Sequence, residues 1–375
     1  MKILLLALAS ALVRANNDAY VKAWDAYVAD VKANTTNIQH SCEPKRYAAA
    51  TSTYRGVAVL FHGYSACPQQ YFLLAPLLAS RGFDVLLPMN PGHGNGIPTR
   101  DPTGFHYCLQ HSCNGTLDDV QGLPVASCEW NDFVNSINRI VKLADGIHVV
   151  GGLSVGGAAA AVAGLDSLDS DGSRPLYLRQ LIINPMTHAA DPKQEIESTV
   201  MADLPVTRDF WIGWGPGCRE ERKLRDRGGF CTFQVKHGVA AGRFGIALLD
   251  RKPLSVSNAS TVTLMYDQGD NVVSTQAIRD LYGHYHDAIG SRAATCVQNF
   301  TSHSMLSPHD DPGLNRYWLN ELYCQIVDYM AEGRPFGIEA AQSKAEGGDH
   351  YCRMECTADT CPYNRSVPMQ CPYHR

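Results

Sequence analysis

The residues best suited to chemistry lie in a short glycine-rich stretch near the middle of the chain. Gly152, Ser154 and Gly156 form the pattern G-x-S-x-G, between an apolar strand pattern at 147–150 and a small-residue helix pattern at 158–163. A serine at the apex of a sharp strand-to-helix turn takes a strained backbone conformation that holds its Oγ clear of the sheet. The flanking glycines remove side chains that would clash in so tight a turn. The spacing therefore predicts Ser154 as a nucleophile.

A glycine-rich turn of this kind also occurs in phosphate-binding loops. That alternative requires G-x-G-x-x-G or the lysine of a P-loop, and neither occurs at this position. In the catalytic interpretation, the following helix directs its N-terminal amides and its positive dipole end towards a developing oxyanion. The stretch therefore favours nucleophilic catalysis over phosphate binding.

A serine hydroxyl is a poor nucleophile until a base takes its proton, and the base needs an acid to hold its tautomer. Where such a serine turn joins a strand to a helix, the three catalytic residues follow one another along the chain in the order Ser, then Asp or Glu, then His. Asp267 and Asp270 follow Ser154 near the end of a strand pattern at 262–265. We favour Asp270, because catalytic groups gather in the loop just beyond a strand end. Asp267 remains the alternative, with a buried hydrogen-bond acceptor as its other role.

Two histidines compete for the role of the base. His303 directly follows a strand pattern at 295–300, whereas His309 lies in a proline- and aspartate-rich segment that leads into the last helix. His284 and His286 belong to a helix pattern, which favours surface positions. His303 is therefore the predicted base.

An oxyanion hole needs two N–H donors aimed at the same point. The amide of Val155, directly after the nucleophile, is the first predicted donor. The amide of Tyr64 is the second, because it lies in the loop after a strand pattern at 57–61. His62 and His93 are expected to have structural roles, fixing their loops by hydrogen bonds.

Strand and helix patterns alternate along most of the chain, which predicts a mostly parallel sheet with helices on both faces. The remaining predicted strands are 83–87 and 181–183, and residues 42–52 are expected to be a connector. Predicted helices lie at 18–32, 69–80, 130–143, 275–285 and about 312–330. The fold class is therefore α/β, in one domain over 16–334.

Residues 186–258 interrupt the alternation with charge clusters and aromatic side chains. Strands of such a sheet end on the face that carries Ser154, so an insertion between two of them lies over the site. We expect a cap in which Trp211 and Trp214 bind the acyl part of a substrate. The alternative is a run of surface helices whose tryptophans pack inward.

Composition and the chain ends point to the secretory pathway. The formal net charge of −5 gives no indication of a nucleic-acid partner. Residues 1–15 have the pattern of a signal peptide, and neither this apolar run nor any later one is long enough to span a bilayer. Thirteen cysteines and the sequon asparagines agree with an oxidising compartment. The sequon asparagines are Asn34, Asn114, Asn258, Asn299 and Asn364.

Six of the thirteen cysteines lie in two segments, two in a polar insertion at 100–127 and four in a C-terminal extension, 335–375. The spacings in the tail cluster do not match a paired C-x-x-C zinc site, so we expect disulfides and no metal for Cys352, Cys356, Cys361 and Cys371. Because the count of cysteines is odd, at least one thiol is free or pairs with another chain.

Taken together, these motifs resemble the α/β-hydrolase superfamily and, within it, the carboxylesterase and monoacylglycerol-lipase group. The stretches that match are His62-Gly63-Tyr64-Ser65, Pro91-Gly92-His93-Gly94, Trp130 at the head of a helix, Gly152 to Gly156, Asp270 with Val272-Val273, and Ser302-His303. The resemblance covers about 57–330 and implies Ser154, Asp270 and His303 as a triad. It also implies Tyr64 and Val155 as oxyanion donors and a cap over an apolar acyl pocket. The insertion at 100–127, the larger cap and the cysteine-rich extension depart from the simple members of the group.

The predicted function is that of a secreted, glycosylated serine hydrolase that cleaves carboxylic esters of acylglycerol, lipid-like or small acyl type. It needs no metal and no organic cofactor, and its partner is the small-molecule or lipid ester itself. A peptidase or acyltransferase on the same scaffold remains an alternative, because the pocket sets the function on this fold. A non-catalytic binding protein is the third possibility. The sequence leaves the oligomeric state open.

Overall fold

A computed structural model describes most of the predicted hydrolase domain. The described residues are 18–33, 35, 38–50, 54–93, 126–165, 167–204, 207–213, 228–230, 232–298, 303–307 and 316–336. The predicted signal peptide, nearly all of the insertion at 100–127 and almost all of the C-terminal extension lie outside these ranges. So do Trp214, His309 and every sequon asparagine except Asn258.

A sheet of seven strands in the order β1-β3-β2-β4-β5-β8-β9 forms the centre of the molecule. Its strands are β1 (Lys45–Tyr47), β2 (Gly56–Phe61), β3 (Phe83–Leu87), β4 (Val149–Leu153), β5 (Arg179–Ile183), β8 (Thr261–Asp267) and β9 (Ala293–Gln298). From β3 to β9 every neighbouring pair is parallel, as the alternation of strands and helices predicted. At the edge, β1 pairs antiparallel with β3, so the segment expected to be a connector is partly a strand.

Helices cover both faces of this sheet. They are α1 (residues 18–33), α2 (Leu74–Ser80), α3 (Ser127–Val141), α4 (Val155–Gly164), α5 (Pro192–Asp203), α6 (Val235–Leu249), α7 (Thr275–Ile289) and α8 (Arg316–Glu332). One apolar core joins α1, α3, α4, α6 and α7 to the sheet, and a second core joins α2 and α8 to its other face. Within the described part of the chain, no helix is both long and apolar enough to cross a membrane.

The helix α4 approaches the sheet more closely than a side chain would allow. A Cβ on Gly156 would lie 2.1 Å from the carbonyl oxygen of Phe61, and one on Gly152 would lie 1.9 Å from that of Gly156. Both glycines of the G-x-S-x-G motif are therefore required by backbone-to-backbone contact. The small side chains of α4 are buried along its whole length.

The segment predicted as a cap contains α5, α6 and a separate pair of antiparallel strands, β6 (Trp211–Gly213) and β7 (Thr232–Gln234). α5 packs on α6, and α6 packs in turn on α3 and α4. Phe244 of α6 is buried and stacks on Trp130 of α3, with ring centroids 5.8 Å apart. The helix α6 is thus part of a layer of the main domain.

A disulfide joins Cys42 to Cys67 and so ties the segment before β1 to the loop after β2. Cys128, at the start of α3, is a free thiol. The other predicted disulfides of the insertion and the extension involve cysteines outside the described residues.

Candidate active site

Ser154 lies at the turn between β4 and α4, where the sequence predicted a strained nucleophile. Its backbone has φ 61° and ψ −124°, a conformation that costs a non-glycine residue about 1–3 kcal/mol. The surrounding hydrogen bonds fix this conformation. The Ser154 amide donates to the carbonyl of Ile183 (2.9 Å), and its carbonyl accepts from the amides of Ala158 (3.1 Å) and Met186 (3.0 Å).

The predicted acid and base are hydrogen-bonded to each other. His303 Nδ1 lies 2.7 Å from Asp270 Oδ2, and the Asp270 side chain has no exposed surface. The other carboxylate oxygen accepts from the amides of Val272 (2.7 Å) and Val273 (3.0 Å). An ionised carboxylate only accepts hydrogen bonds, so Nδ1 of the neutral imidazole carries the proton and Nε2 is left as the acceptor. This is the tautomer that a general base requires.

Asp267 has the other role that the sequence allowed for it. Its Oδ1 accepts from the amide of Gly269 (2.6 Å), which closes the turn at the end of β8. Asp267 as a whole is buried. The remaining histidine candidates that the structure describes, His284 and His286, lie on α7, as the helix pattern predicted.

The loop after β2 adjoins the nucleophile and is fixed by hydrogen bonds. A Cβ on Gly63 would lie 3.4 Å from Ser154 Cβ. The Gly63 amide donates to Oε1 of Gln70 (2.8 Å), so it is already engaged. The next amide along the loop is that of Tyr64, the predicted oxyanion donor. Val155, the other predicted donor, is the first residue of α4.

His62 and His93 are structural in the described contacts. His62 Nε2 accepts from the amide of Asn90 (2.9 Å), so Nδ1 carries the proton and donates to the Gly63 carbonyl (2.9 Å). Burial lowers the pKa of His62 to about 3. Burial also lowers the pKa of His93 well below its ordinary value, and His93 Nδ1 lies 2.8 Å from the carbonyl of Pro91. Both imidazoles are therefore neutral and hold their loops, as expected.

Two parts of the predicted cap, its start and the residues around 230, contact this site. At its start, residues 188–190 pair with residues 272–274, directly after Asp270. Near its middle, the Phe230 amide donates to the carbonyl of Ser65 (3.2 Å). The rings of Phe230 and Phe233 stand edge-on to the Tyr64 ring, with centroids 5.4 and 5.0 Å away.

Trp211 and Trp214 were the predicted substrate-binding residues of this segment, and no sequence pattern indicated Phe230 or Phe233. Trp211 lies in β6, paired with Gln234 of β7, so its backbone is one residue pair from Phe233. The side chain of Trp211 is outside the described atoms, and Trp214 lies outside the described residues. Their role in substrate binding stays a prediction.

Asn184 is a further residue of the site, and it was not among the predicted site residues. It is fully buried at the end of β5, with φ 39°. Its Nδ2 donates to the His303 carbonyl (2.8 Å), and its Oδ1 accepts from the Asp267 amide (3.0 Å). The sequence did contain an indication of this role. An asparagine at a strand end tolerates the left-handed region and makes local hydrogen bonds.

Among the residues that the structure describes, no group of three His, Cys, Asp or Glu side chains is arranged to hold a metal ion. The polar groups at the strand ends are instead bonded to each other and to backbone amides, as given above.

No protein-family model matches this sequence, and no curated protein matches it. Solved structures do match it. The monoacylglycerol lipase of Paleococcus ferrophilus superposes with a TM-score of 0.53 over 78% of this chain and 98% of its own, at 14% identity. A soluble variant of the monoglyceride lipase of Saccharomyces cerevisiae, in complex with a substrate analogue, gives 0.52 over 77% of this chain and 91% of its own, at 12% identity.

A structure from work on the metagenome-derived lipolytic enzymes LipS and LipT gives a TM-score of 0.51 at 17% identity, covering 74% of this chain and 95% of its own. At such identities the likeness is one of fold. The parallel sheet, the serine at the turn after β4 and these superpositions agree on one conclusion. The chain has the fold of the α/β-hydrolase superfamily, which it shares with the monoacylglycerol lipases.

Proposed function

We propose that the chain is a serine hydrolase that cleaves carboxylic esters with Ser154 as nucleophile, His303 as base and Asp270 as the acid that orients it. The observation that carries the proposal is a pair of consecutive residues at the end of β5. Ile183 accepts from the Ser154 amide (2.9 Å), and Asn184 donates to the His303 carbonyl (2.8 Å). The strained serine and the His303–Asp270 pair are therefore held at the same edge of the sheet.

The proposed reaction begins when His303 Nε2 takes the proton of the Ser154 hydroxyl as Oγ attacks the ester carbonyl carbon. The amides of Tyr64 and Val155 stabilise the resulting oxyanion; removal of one such donor typically slows turnover by about 10²–10³. The C–O bond to the alcohol then breaks, and His303 gives its proton to the leaving oxygen. Water, deprotonated by His303, attacks the acyl-enzyme, and the carboxylic acid leaves as Ser154 regains its proton.

The proposed substrates are acylglycerols or other esters with an apolar acyl group. The similar structures are described as monoacylglycerol lipases and lipolytic enzymes, which supports this class. The aromatic rings of Phe230 and Phe233 beside Tyr64 also support it, because an acyl chain is bound by apolar and aromatic side chains.

Covalent labelling with a fluorophosphonate tests the nucleophile. The native protein should be labelled at Ser154, and Ser154→Ala should lose both labelling and hydrolysis while keeping its melting temperature. Ser136→Ala is the matched control, because Ser136 is also a buried serine but donates to the carbonyl of Phe133 within α3 (2.7 Å). This control should keep both activities. A native protein that neither reacts nor hydrolyses a graded panel of esters would point to a binding protein instead.

We also propose that the protein is secreted after cleavage behind Ala15. The signal-peptide pattern, the five sequons and the thirteen cysteines support this, and Asn258 is an exposed sequon asparagine. N-terminal sequencing of protein expressed in a secreting host should begin at Asn16. Protein that stays inside the cell with Met1 in place would contradict the proposal.

A further inference from the structure

Asn184 bonds to the backbone of both segments that carry the candidate acid and base. Its own amide donates to the carbonyl of Met265 in β8 (2.8 Å), and its Oδ1 accepts from the amide of Asp267 (3.0 Å). Its Nδ2 donates to the carbonyl of His303 (2.8 Å). These contacts fix the asparagine against the end of β8 and leave its other side-chain atom to hold the His303 loop.

The backbone on either side of Asn184 also forms hydrogen bonds with the backbone of Ser154. Ile183, just before it, accepts from the Ser154 amide, and Met186, just after Pro185, donates to the Ser154 carbonyl. The same short segment therefore fixes Ser154 through its backbone and His303 through the Asn184 side chain. A shift at this point would change the separation between the serine and the histidine.

We propose that Asn184 is a positioning residue for His303, an inference that rests on the proposed function. The carboxylate of Asp270 holds the imidazole at Nδ1 (2.7 Å), and Asn184 holds the backbone of the same residue. The Asp270 contact restrains rotation of the imidazole ring. The Asn184 contact restrains movement of the main chain that carries the ring. Asn184 thereby keeps Nε2 directed at the Ser154 hydroxyl.

The chemistry of the site explains why the residue is an asparagine. The position needs a donor for one carbonyl and an acceptor for one amide on a single short side chain, which the carboxamide supplies. It also needs a residue that tolerates φ 39°, and asparagine enters this left-handed region more readily than most others. Asn184 is fully buried, so the His303 carbonyl and the Asp267 amide lose their protein partner when the side chain is shortened.

Asn184→Gly and Asn184→Asp separate the two bonds. The glycine accepts the positive φ and removes both side-chain contacts. The aspartate keeps an acceptor for the Asp267 amide but, when ionised at alkaline pH, places an oxygen against the His303 carbonyl. Asn138→Asp is the matched control. Asn138 is also buried and donates through Nδ2 to a main-chain carbonyl, that of Ala163 (3.1 Å), between α3 and α4.

Measured at alkaline pH, both Asn184 variants should lower kcat about 10- to 100-fold, the effect expected when a catalytic group is displaced by about 1 Å. KM should stay within about twofold of its native value, because the substrate pocket is unchanged. Labelling by the fluorophosphonate should slow by the same factor as kcat. Asn138→Asp should lower the melting temperature and leave kcat unaltered. Native kcat in both Asn184 variants, or an equal loss in Asn138→Asp, would overturn the inference.

Proton NMR in water supplies a readout that does not depend on hydrolysis. The Nδ1 proton shared between His303 and Asp270 should give a low-field resonance in the native protein and in Asn138→Asp. The resonance should broaden or vanish in Asn184→Gly, because the imidazole is then held only from one side. If the native protein neither hydrolyses esters nor reacts with the label, the proposed function fails while this resonance still tests the positioning. If hydrolysis is present and the resonance is unchanged in Asn184→Gly, only the positioning fails.

Discussion

Asp270 and Asp267 are three residues apart, yet their carboxylates have different hydrogen-bond partners. Asp270 accepts from His303 and from the amides of Val272 and Val273, whereas Asp267 accepts from Gly269 within its own turn. An acid that orients a base must reach its Nδ1–H, and in the described contacts Asp270 does so. The burial of Asp267 at the end of β8 is that of a side chain that shapes the turn.

Asp270→Asn should lower kcat by about 10⁴, because an amide at this position leaves His303 in the wrong tautomer. Asp267→Asn should keep most of the activity and lose about 1–3 kcal/mol of unfolding free energy, the effect of a buried partner left unsatisfied. Steady-state kinetics and urea unfolding of the two variants measure both effects. The reverse ranking of kcat would move the role of the acid to Asp267.

Among the elements, β6 and β7 decide how the segment 186–258 meets the candidate site. They pair antiparallel away from the central sheet, and β7 leads directly into α6. Since Phe233 of β7 contacts Tyr64, the paired strand β6 brings the backbone of Trp211 close to the same region. The strand pair β6–β7 thus lies beside the loop of Tyr64, while α6 packs as part of the domain.

Trp211→Ala and Trp214→Ala should each shift the preferred acyl length of ester substrates and leave the melting temperature nearly unchanged. A lining residue acts through the burial of a few methylene groups, worth about 0.8 kcal/mol each. The chain-length profile of kcat/KM measures the shift. Trp318→Phe is the control, because Trp318 is a buried tryptophan of α8 in the core on the other side of the sheet. It should lower stability without changing the profile. Large losses of melting temperature in both cap variants, with an unaltered profile, would make the segment a structural cover.

At the scale of the whole molecule, buried neutral histidines make stability depend on pH. Burial lowers the pKa of His62 to about 3 and that of His148 to about 4, from an ordinary value of 6.5. An unfolded histidine takes up a proton near pH 6.5, whereas the folded one stays neutral until the pH reaches its lowered pKa. The stabilisation is therefore complete above about pH 6.5 and is lost as the pH falls towards about 4.

His148→Asn should flatten this dependence, because it removes one of the groups that the unfolded state protonates and the folded state does not. His148 accepts from the amide of Val57 (3.2 Å), so the variant should also be less stable at neutral pH. Between about pH 6.5 and about pH 4, the slope of unfolding free energy against pH should fall by up to about 1.4 kcal/mol per unit. Urea unfolding at a series of pH values measures the slope. His286→Asn, at an exposed position on α7, should leave it unchanged, and an unchanged slope in His148→Asn would contradict the account.

Local patterns were sufficient to predict most of the central fold. A strand or helix that buries apolar side chains shows the periodicity of that element within a few residues of sequence. This is so for the strand at 57–61 and the helix at 275–285. The turn at Ser154 is local for the same reason, since Gly152 and Gly156 are required by contacts of a single strand–turn–helix unit. The strand ends also placed Asp270 and His303 in loops, where the structure brings them within hydrogen-bonding distance.

Contacts between distant segments were decided only in the tertiary structure. The edge strand β1 forms because β3 offers it an antiparallel partner, and its three residues are too few to show a period of their own. Asn184 bonds to His303 across 119 positions, and Phe230, near the middle of the segment 186–258, bonds to the carbonyl of Ser65. A single asparagine or phenylalanine does not form a periodic sequence pattern, so its role cannot be predicted locally. That role depends on which strand ends lie beside the residue. The order of strands in the sheet sets those neighbours, and that order is fixed by packing over the whole chain.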